Sequence, residues 1–528
     1  MLCLLGGFAA VAWQLATIGR YPAITSQLMS ASEHTQYAQS RPDLVDRNGR
    51  MLASDIRVYW LYADPTQIIN ADETVEKLSR VLPPEDMIGL RGRLTGKSRF
   101  EWIKRGLSPK LAKAIHNLGL PGLTLIEEPQ RIYPAGRIAA HVLGHTDVDN
   151  KGIAGIERYI DGHPELAITP KEKGDRARIV LSLDIRVQHA LHEELTGAMI
   201  RYQAKAASGI VLDVRTGEVL ALAGLPDYDP NNREESLIKG RHNRLYADSY
   251  ELGSVFKSYA VALALELGNV RLEDEIDVLT PIRLGGFTLE DRHAKKRFMT
   301  VEEVFIHSSN TGAARLALEA GGGKLKGFFN ALGLLEPMQT ELGPTARALI
   351  PDPWREINTM TASYGHGISV SPFAFAASTA SLINDGTLLN PTFLPVEKGA
   401  KVKGDRVVSE ETSAKLRHLF WMNAERGTGR NADAHEYRIG GKTGTAYKPE
   451  AGGYSEAVIT SFVAGFPMDA PRYLALIVID EPQPEKKGAR NEAGYNAAPV
   501  AGQLIRRIAP MLGIAPSRKF DENRQASY

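Results

Sequence analysis

The rhythm of apolar and polar positions changes several times along the chain. Residues 1–18, MLCLLGGFAAVAWQLATI, are apolar apart from Gln14 and Thr17. They reach the lower limit of roughly 17–25 residues for a membrane-crossing helix. No small-residue cleavage site follows, which predicts a retained signal anchor over 1–19 rather than a removed signal peptide. No Lys or Arg precedes the span, so charge assigns it no orientation and the chain reads as starting inside its anchor. Polar chain follows, then RPDLVDRNGRMLASD, where Asn48-Gly49 predicts a tight hairpin between two short apolar runs. Residues 71–120 read as mostly helical. The stretch EEPQRIYPAGRIAAHVLGHTDVDNKGIAGIERYIDG mixes turn residues with short strands and has no sustained helical period. The charged stretch TPKEKGDRA, 169–177, is the best candidate for a domain boundary.

Beyond it the pattern sharpens. RIVLSLD predicts a strand, and DIRVQHALHEELTGAMIRY an amphipathic helix with its N-cap at Asp184. SGIVLDVRTGEVLALAG predicts a hairpin around Thr216-Gly217. ELGSVFKSYAVALALELG, 251–268, is apolar or small at most positions from Val255 on, as in a helix buried on nearly all sides. Near the C-terminus YRIGGKTGTAY, AVITSFVAGF and RYLALIVID read as three successive strands, and APVAGQLIRRIAPML as a closing helix. Strands at both ends with helices between them predict an α+β fold, one sheet closed by distant segments and covered by helices. The tail after residue 515 is polar.

Length and composition set outer limits. A chain of 528 residues is too long for one core, so two or more domains are expected. Acidic and basic residues are interspersed and the formal net charge is +1, which gives no surface for nucleic acid. Cys3 is the only cysteine, which excludes intrachain disulfides, and a thiol nucleophile or cysteine-based metal site elsewhere.

Several apparent motifs dissolve on inspection. His189 and His192 sit three apart on a predicted helix, but no HExxH pattern surrounds them and Glu193 and Glu194 mark a solvated face. Gly441-Lys442-Thr443 resembles the end of a phosphate-binding loop, yet Glu436 stands where the first glycine is required. There is no G-x-S-x-G elbow. His307 directly precedes Ser308, and sequence neighbours on a helix do not face each other. No metal and no cofactor are expected.

The serine–lysine pattern is different. S-x-x-K occurs twice, at Ser236/Lys239 and Ser254/Lys257, about as often as chance allows. Ser236 lies in a polar region ending at Gly240. Ser254 opens the apolar helix, where unpaired amides favour a developing anion, and Lys257 follows one turn along. The chain also holds one S-x-N, Ser308 to Asn310, and one K-T-G, Lys442-Thr443-Gly444. In that order the three elements form the signature of penicillin-binding proteins and related β-lactamases. A serine hydroxyl needs a base to take its proton, and lysine serves only when neutral. Bringing its pKa from about 10.4 towards 7 takes roughly 4–5 kcal/mol, which burial and a second cation supply. A buried apolar helix is therefore a sensible place for Lys257, with Lys442 as the second cation.

On these residues, and on DRNGRMLA, RIYPAGRIAAHVLG, GIAGIE, LSLDIRVQHALHEEL and SYGHGISVSP, the chain resembles class B penicillin-binding proteins over essentially its whole length. SSNTG and YGHGISVSP look more like the septal division branch than the elongation branch. The resemblance implies a peptidoglycan D,D-transpeptidase with an antiparallel sheet covered by helices on both faces. It also implies an anchor over 1–19, a non-catalytic pedestal over 20–168, a transpeptidase domain over 175–515 and a flexible tail over 516–528. Ser254 would attack the penultimate D-alanine carbonyl of a donor stem peptide, with Lys257 as base. Ser308 would relay a proton and Asn310 bind substrate backbone. Lys442, Thr443 and Thr445 would hold the terminal carboxylate beside Gly444, and amides of Ser254 and Thr445 would form the oxyanion hole. β-Lactams would acylate Ser254, and a septal glycosyltransferase and other division proteins would be partners at the inner membrane, with the catalytic domain outside the cytoplasm. Leu252 replaces the family's usual proline, the usual basic tail before the anchor is missing, and no glutamate in an E-x-x-L-N setting follows Asn310. Two alternatives remain: a D,D-carboxypeptidase with the same site, and a membrane-bound penicillin-binding scaffold without turnover.

Overall fold

The computed structural model describes residues 40–166, 177–291, 297–450, 452–486 and 488–517. The anchor expected over 1–19, most of the boundary stretch and the tail from 518 lie outside the described residues. Among the described residues no helix is long and apolar enough to cross a membrane. Two units form. One is built from residues 40–42, Ser54–Ile132 and Val148–Asn150; the other from Asp43–Ala53, Tyr133–Asp147 and Lys151 onward.

In the first unit the strand Met51–Ala63 runs antiparallel to Leu123–Ile132 from Ser54 on and to Glu101–Leu107 from Tyr59 on. Leu61, Ala63, Ile103 and Leu107 join Leu78, Leu82, Leu90, Leu94 and Ile115 in a small core. Helix Ala71–Ser79 begins at Asn70, whose side chain accepts from the amides of Asp72 and Glu73. Helix Pro109–His116 begins at Ser108, with proline at its first position. The segment 71–120, read as mostly helical, thus contains a strand. Its buried Ile103 and Leu107 lie four apart, a spacing that shares one face in a helix and in a strand alike, so the apolar pattern does not separate the two.

The second unit opens with the hairpin expected at Asn48-Gly49. Asp46 Oδ1 accepts from the amides of Asn48 and Arg50, both at 2.8 Å, and Gly49 takes a φ of 79°. Between 133 and 160 the short strands expected from sequence are instead helical turns, Gly136–Ala139, Ala140–Leu143 and Gly155–Ile160, too short to display a period. Ala139, Val142, Leu143 and Ile156 enter the same core as Leu181 and Leu222. The two units therefore interleave along the chain.

The main sheet has five antiparallel strands: β1 (Ala206–Asp213), β2 (Val219–Leu225), β3 (Gly440–Glu450), β4 (Gly453–Phe466) and β5 (Tyr473–Asp480), in the order β3-β4-β5-β1-β2. β1, β2 and β5 are buried throughout, and such strands lose the in–out alternation because both faces are covered. On one face α1 (Ile185–Arg201), capped by Asp184, and α6 (Ala497–Met511) place Leu191, Leu195, Leu504 and Ile505 with Val211 and Ile477. On the other, Ile210, Leu476 and Val478 meet Val255 and Tyr259, and also Phe373 and Phe375 of α4 (Pro372–Ile383). Three further elements frame the site: α2 (Lys257–Glu266), α3 (Asn310–Ala320) and α5 (Glu410–Arg426). The α+β architecture with a helix-covered antiparallel sheet is the one expected.

Candidate active site

Ser254 sits not on an α-helix but in a 3-10 turn, Gly253–Phe256, that leads into α2. In a 3-10 turn residues i and i+3 eclipse, which brings Lys257 over Ser254 with Nζ 2.9 Å from Oγ. The turn is pressed against β3. A methyl group on Gly253 would lie 2.4 Å from the Thr445 carbonyl oxygen, and one on Gly444 would lie 2.2 Å from the Leu252 oxygen. Only glycine lets two backbones approach this closely, and Gly253 also takes a φ of 62°.

The S-x-N turn joins helix Val301–Ile306 to α3. Ser308 adopts a φ of 61°, uncommon for a residue with a side chain. This turns its carbonyl towards Lys257 Nζ at 2.6 Å and its hydroxyl to within 3.0 Å of the same nitrogen. Ser309 caps α3 by accepting from the Gly312 amide at 2.9 Å. Asn310 faces the cleft.

From β3, Lys442 reaches Ser308 Oγ at 3.0 Å and also donates to the Thr443 carbonyl at 3.2 Å. Alternation along the strand sends Thr443, Thr445 and Tyr447 into a cleft of about 670 Å³ that they share with Ser254, Ser308 and Asn310. Thr443 Oγ1 donates to Thr428 Oγ1 at 2.7 Å, and Thr445 Oγ1 accepts from the Ala493 amide at 3.0 Å.

Burial dominates the electrostatics. Lys257 is 1% exposed, and desolvation pulls its pKa from 10.5 down to about 7, against an opposing pull from the Asp291 carboxylate. Lys442 is fully buried and is pushed well below the ordinary lysine range by desolvation and by Lys257. Two ammonium groups on one hydroxyl in a dry site repel strongly, so the pair holds at most one positive charge. A neutral amine against Ser254 can accept its proton, and a neighbouring cation can hold an anionic ligand.

All eight residues singled out in the three motifs, Ser254, Lys257, Ser308, Asn310, Lys442, Thr443, Gly444 and Thr445, come together here. The second S-x-x-K does not: Ser236 donates to the Arg233 carbonyl at 2.7 Å and Lys239 is exposed. His192 is engaged by Asp227 at 2.7 Å and His189 by Glu193 at 3.2 Å. Sequence reasoning missed Thr428, Asp291 and Glu251. Glu251 is buried, its pKa is raised by desolvation, and it accepts from the Gly367 amide at 3.0 Å and from the Tyr454 hydroxyl. None belongs to a motif, and their contacts form only in the tertiary fold.

Residues 207–506 match the family model described as the penicillin binding protein transpeptidase domain, and residues 37–162 match the penicillin-binding protein dimerisation domain. The chain belongs to the penicillin-binding protein family. It is 40% identical over 497 residues to a probable peptidoglycan D,D-transpeptidase FtsI of Caulobacter vibrioides, covering 90% of this chain and 83% of that one. The peptidoglycan D,D-transpeptidase FtsI of Escherichia coli is 31% identical, over 91% of this chain and 85% of its own. A solved peptidoglycan synthetase from Bifidobacterium adolescentis shares the fold at a TM-score of 0.70 and 20% identity, covering 90% of this chain and 96% of that one. The family's usual proline before the nucleophile turn is Leu252 in this penicillin-binding protein. Packing substitutes for ring rigidity: Leu252 is fully buried, and its carbonyl accepts from Ser461 Oγ at 3.4 Å.

Proposed function

We propose that this protein is a septal peptidoglycan D,D-transpeptidase that works through an acyl-enzyme on Ser254. The observation that carries the reading is one chain of contacts, Ser254 Oγ to Lys257 Nζ at 2.9 Å, then Ser308 Oγ at 3.0 Å, then Lys442 Nζ at 3.0 Å. Neutral Lys257 takes the serine proton as Oγ attacks the penultimate D-alanine carbonyl of a donor stem peptide. The tetrahedral oxyanion is held by the amides of Ser254 and Thr445, a contribution commonly worth several kcal/mol. Ser308 passes the proton to the departing amine, the carbon–nitrogen bond breaks, and D-alanine leaves. The amine of a second stem peptide then attacks the ester, gives up its proton to the same base and forms the cross-link as Ser254 is freed. Lys442, Thr443 and Thr445 hold the donor's terminal carboxylate, and Asn310 its backbone. No cofactor takes part.

Residues 1–19 anchor the chain in the inner membrane, 20–168 form a pedestal for division partners that include a glycosyltransferase, and 175–515 work outside the cytoplasm. The apolar run at the N-terminus and the likeness to the peptidoglycan D,D-transpeptidase relatives support these assignments.

Full-length protein in detergent micelles, treated with a fluorescent penicillin and digested, is expected to carry the label on the peptide containing Ser254, and Ser254→Ala to carry none. Absence of label on folded wild-type protein overturns the reading, and label at Ser236 moves it to the other S-x-x-K. Supplying a donor peptide ending in D-alanyl-D-alanine with an amine acceptor is expected to yield the amide. Acid product alone identifies a carboxypeptidase.

A further inference from the structure

The S-x-N turn carries two demanding tasks: it places one hydroxyl between two buried lysines, and it does so from a φ of 61° at Ser308. Something must hold it there. Backbone bonds give part of the restraint, from the Ser308 amide to the Phe305 carbonyl at 3.2 Å and from the Ser309 amide to the Val304 carbonyl at 3.0 Å, while Ser308 spends its own carbonyl and hydroxyl on Lys257 and Lys442. The rest comes from Asp291, in the loop after the strand Phe287–Leu289. Its Oδ1 accepts from the Asn310 amide at 2.9 Å and from the Thr311 amide at 3.4 Å. Its Oδ2 accepts from the Ser309 hydroxyl, which in turn accepts from the Gly312 amide at 2.9 Å. One side chain thus engages Ser309, Asn310 and Thr311 at the start of α3, where unpaired amides favour a negative group.

We propose that Asp291 is a positioning residue of the acylation machinery, whose carboxylate locks the Ser308–Asn310 turn against Lys257 and Lys442 and supplies the counter-charge that lets one of the two lysines remain a cation. The inference rests on the serine–lysine reading of the site and adds to it a residue outside all three motifs.

Charged and titratable groups face Lys257 from three directions. Lys442 approaches from β3, His366 from the turn preceding α4, and Asp291 from beyond the S-x-N turn. Asp291 favours a proton on Lys257, whereas a charged Lys257 disfavours one on Lys442 and on His366. Without any negative charge nearby, the two buried lysines would both shed their protons at low pH and leave no cation for a carboxylate-bearing substrate. With it, the pair keeps one charge to share. A carboxylate that only capped α3, its charge screened from the lysines, would leave the titration of Lys257 unmoved.

Asp291→Asn and Asp291→Ala separate the two roles. Asparagine keeps an acceptor oxygen for the turn and removes the charge. The rate of penicillin acylation of the full chain in micelles is measured from pH 5.5 to 9, alongside thermal melting. For Asp291→Asn the acid limb of the profile is expected to move to lower pH by about one unit, the usual effect of one nearby charge. For Asp291→Ala, which loses the turn's clamp as well, the plateau rate is expected to fall about tenfold or more, as for a misplaced reacting group. An unmoved limb in Asp291→Asn overturns the proposal even if melting drops, since a purely structural carboxylate predicts that combination. A wild-type plateau in Asp291→Ala overturns it as well. Both failures leave wild-type labelling at Ser254 intact, whereas failure of the serine–lysine reading itself removes wild-type labelling.

Discussion

Replacing Lys257 by methionine is expected to abolish acylation by penicillin while leaving the chain folded and melting within a few degrees of the parent. The kinetic half follows from geometry. Lys257 Nζ is the basic group against Ser254 Oγ, and removing the group that activates a serine lowers turnover by a factor on the order of 10⁶. The stability half follows from linkage. A lysine whose folded pKa lies below its unfolded one destabilises the fold at every pH below the unfolded value. The penalty grows as pH falls from 10.5 and levels off below about 7, where both states are protonated. At pH 8 it amounts to about 3 kcal/mol, which methionine, of similar length and apolar, would relieve. Against that gain, the carbonyl of Ser308 loses a donor, at about 1–3 kcal/mol. The two nearly cancel. Near-parental acylation by the variant would refute lysine as the base, and a collapse of melting would show that Lys257 is structural.

The residues that made the site legible are those whose chemistry is local. Asn48-Gly49 announces its turn because few residues accept a φ of 79°, and Asp184 announces a helix start because its carboxylate satisfies the Arg186 amide. Lys257 stood out because a charge in an apolar helix requires a reason. Even here local reading fell short by one step: Ser254 opens a 3-10 turn, and that tighter winding is what puts it under Lys257. Legibility failed where the determinants are distant. Ile103 and Leu107 have a spacing that suits a helix and a strand equally, and only their partners in the sheet decide between them. Asp291 and Thr428 look like ordinary loop residues, since their partners, Ser309 to Thr311 and Thr443, lie about fifteen to twenty residues away along the chain and meet them only in the fold. Glu251, three residues before the nucleophile, gives no sign in sequence that its partners are Gly367 and Tyr454.

The same distant closure makes Gly444 a position where one methyl group should disable the enzyme. Its backbone φ is ordinary, so alanine there carries no left-handed strain, and the effect must come from contact alone. The added carbon would lie 2.2 Å from the Leu252 oxygen, 2.5 Å from Ser461 Oγ and 2.9 Å from Val255 Cγ1. Two of these belong to the start of the nucleophile turn and its approach, so β3 and the turn must separate by about an ångström. Displacement on that scale costs on the order of 10²-fold in rate when reacting groups must be aligned. Gly444→Ala is therefore expected to acylate about a hundredfold more slowly at a melting temperature reduced by a few degrees. Gly253→Ala, which meets the Thr445 oxygen at 2.4 Å and adds a φ of 62°, should be worse on both counts. Gly197→Ala provides the control: on an exposed turn of α1 with nothing within 4 Å, it should leave acylation unchanged and stabilise by about 0.5–1 kcal/mol. Acylation by Gly444→Ala at the rate of Gly197→Ala would mean that the contact between β3 and the turn is not what aligns Ser254. Slow acylation by Gly444→Ala alone would tie the nucleophile's alignment to the strand that carries Lys442.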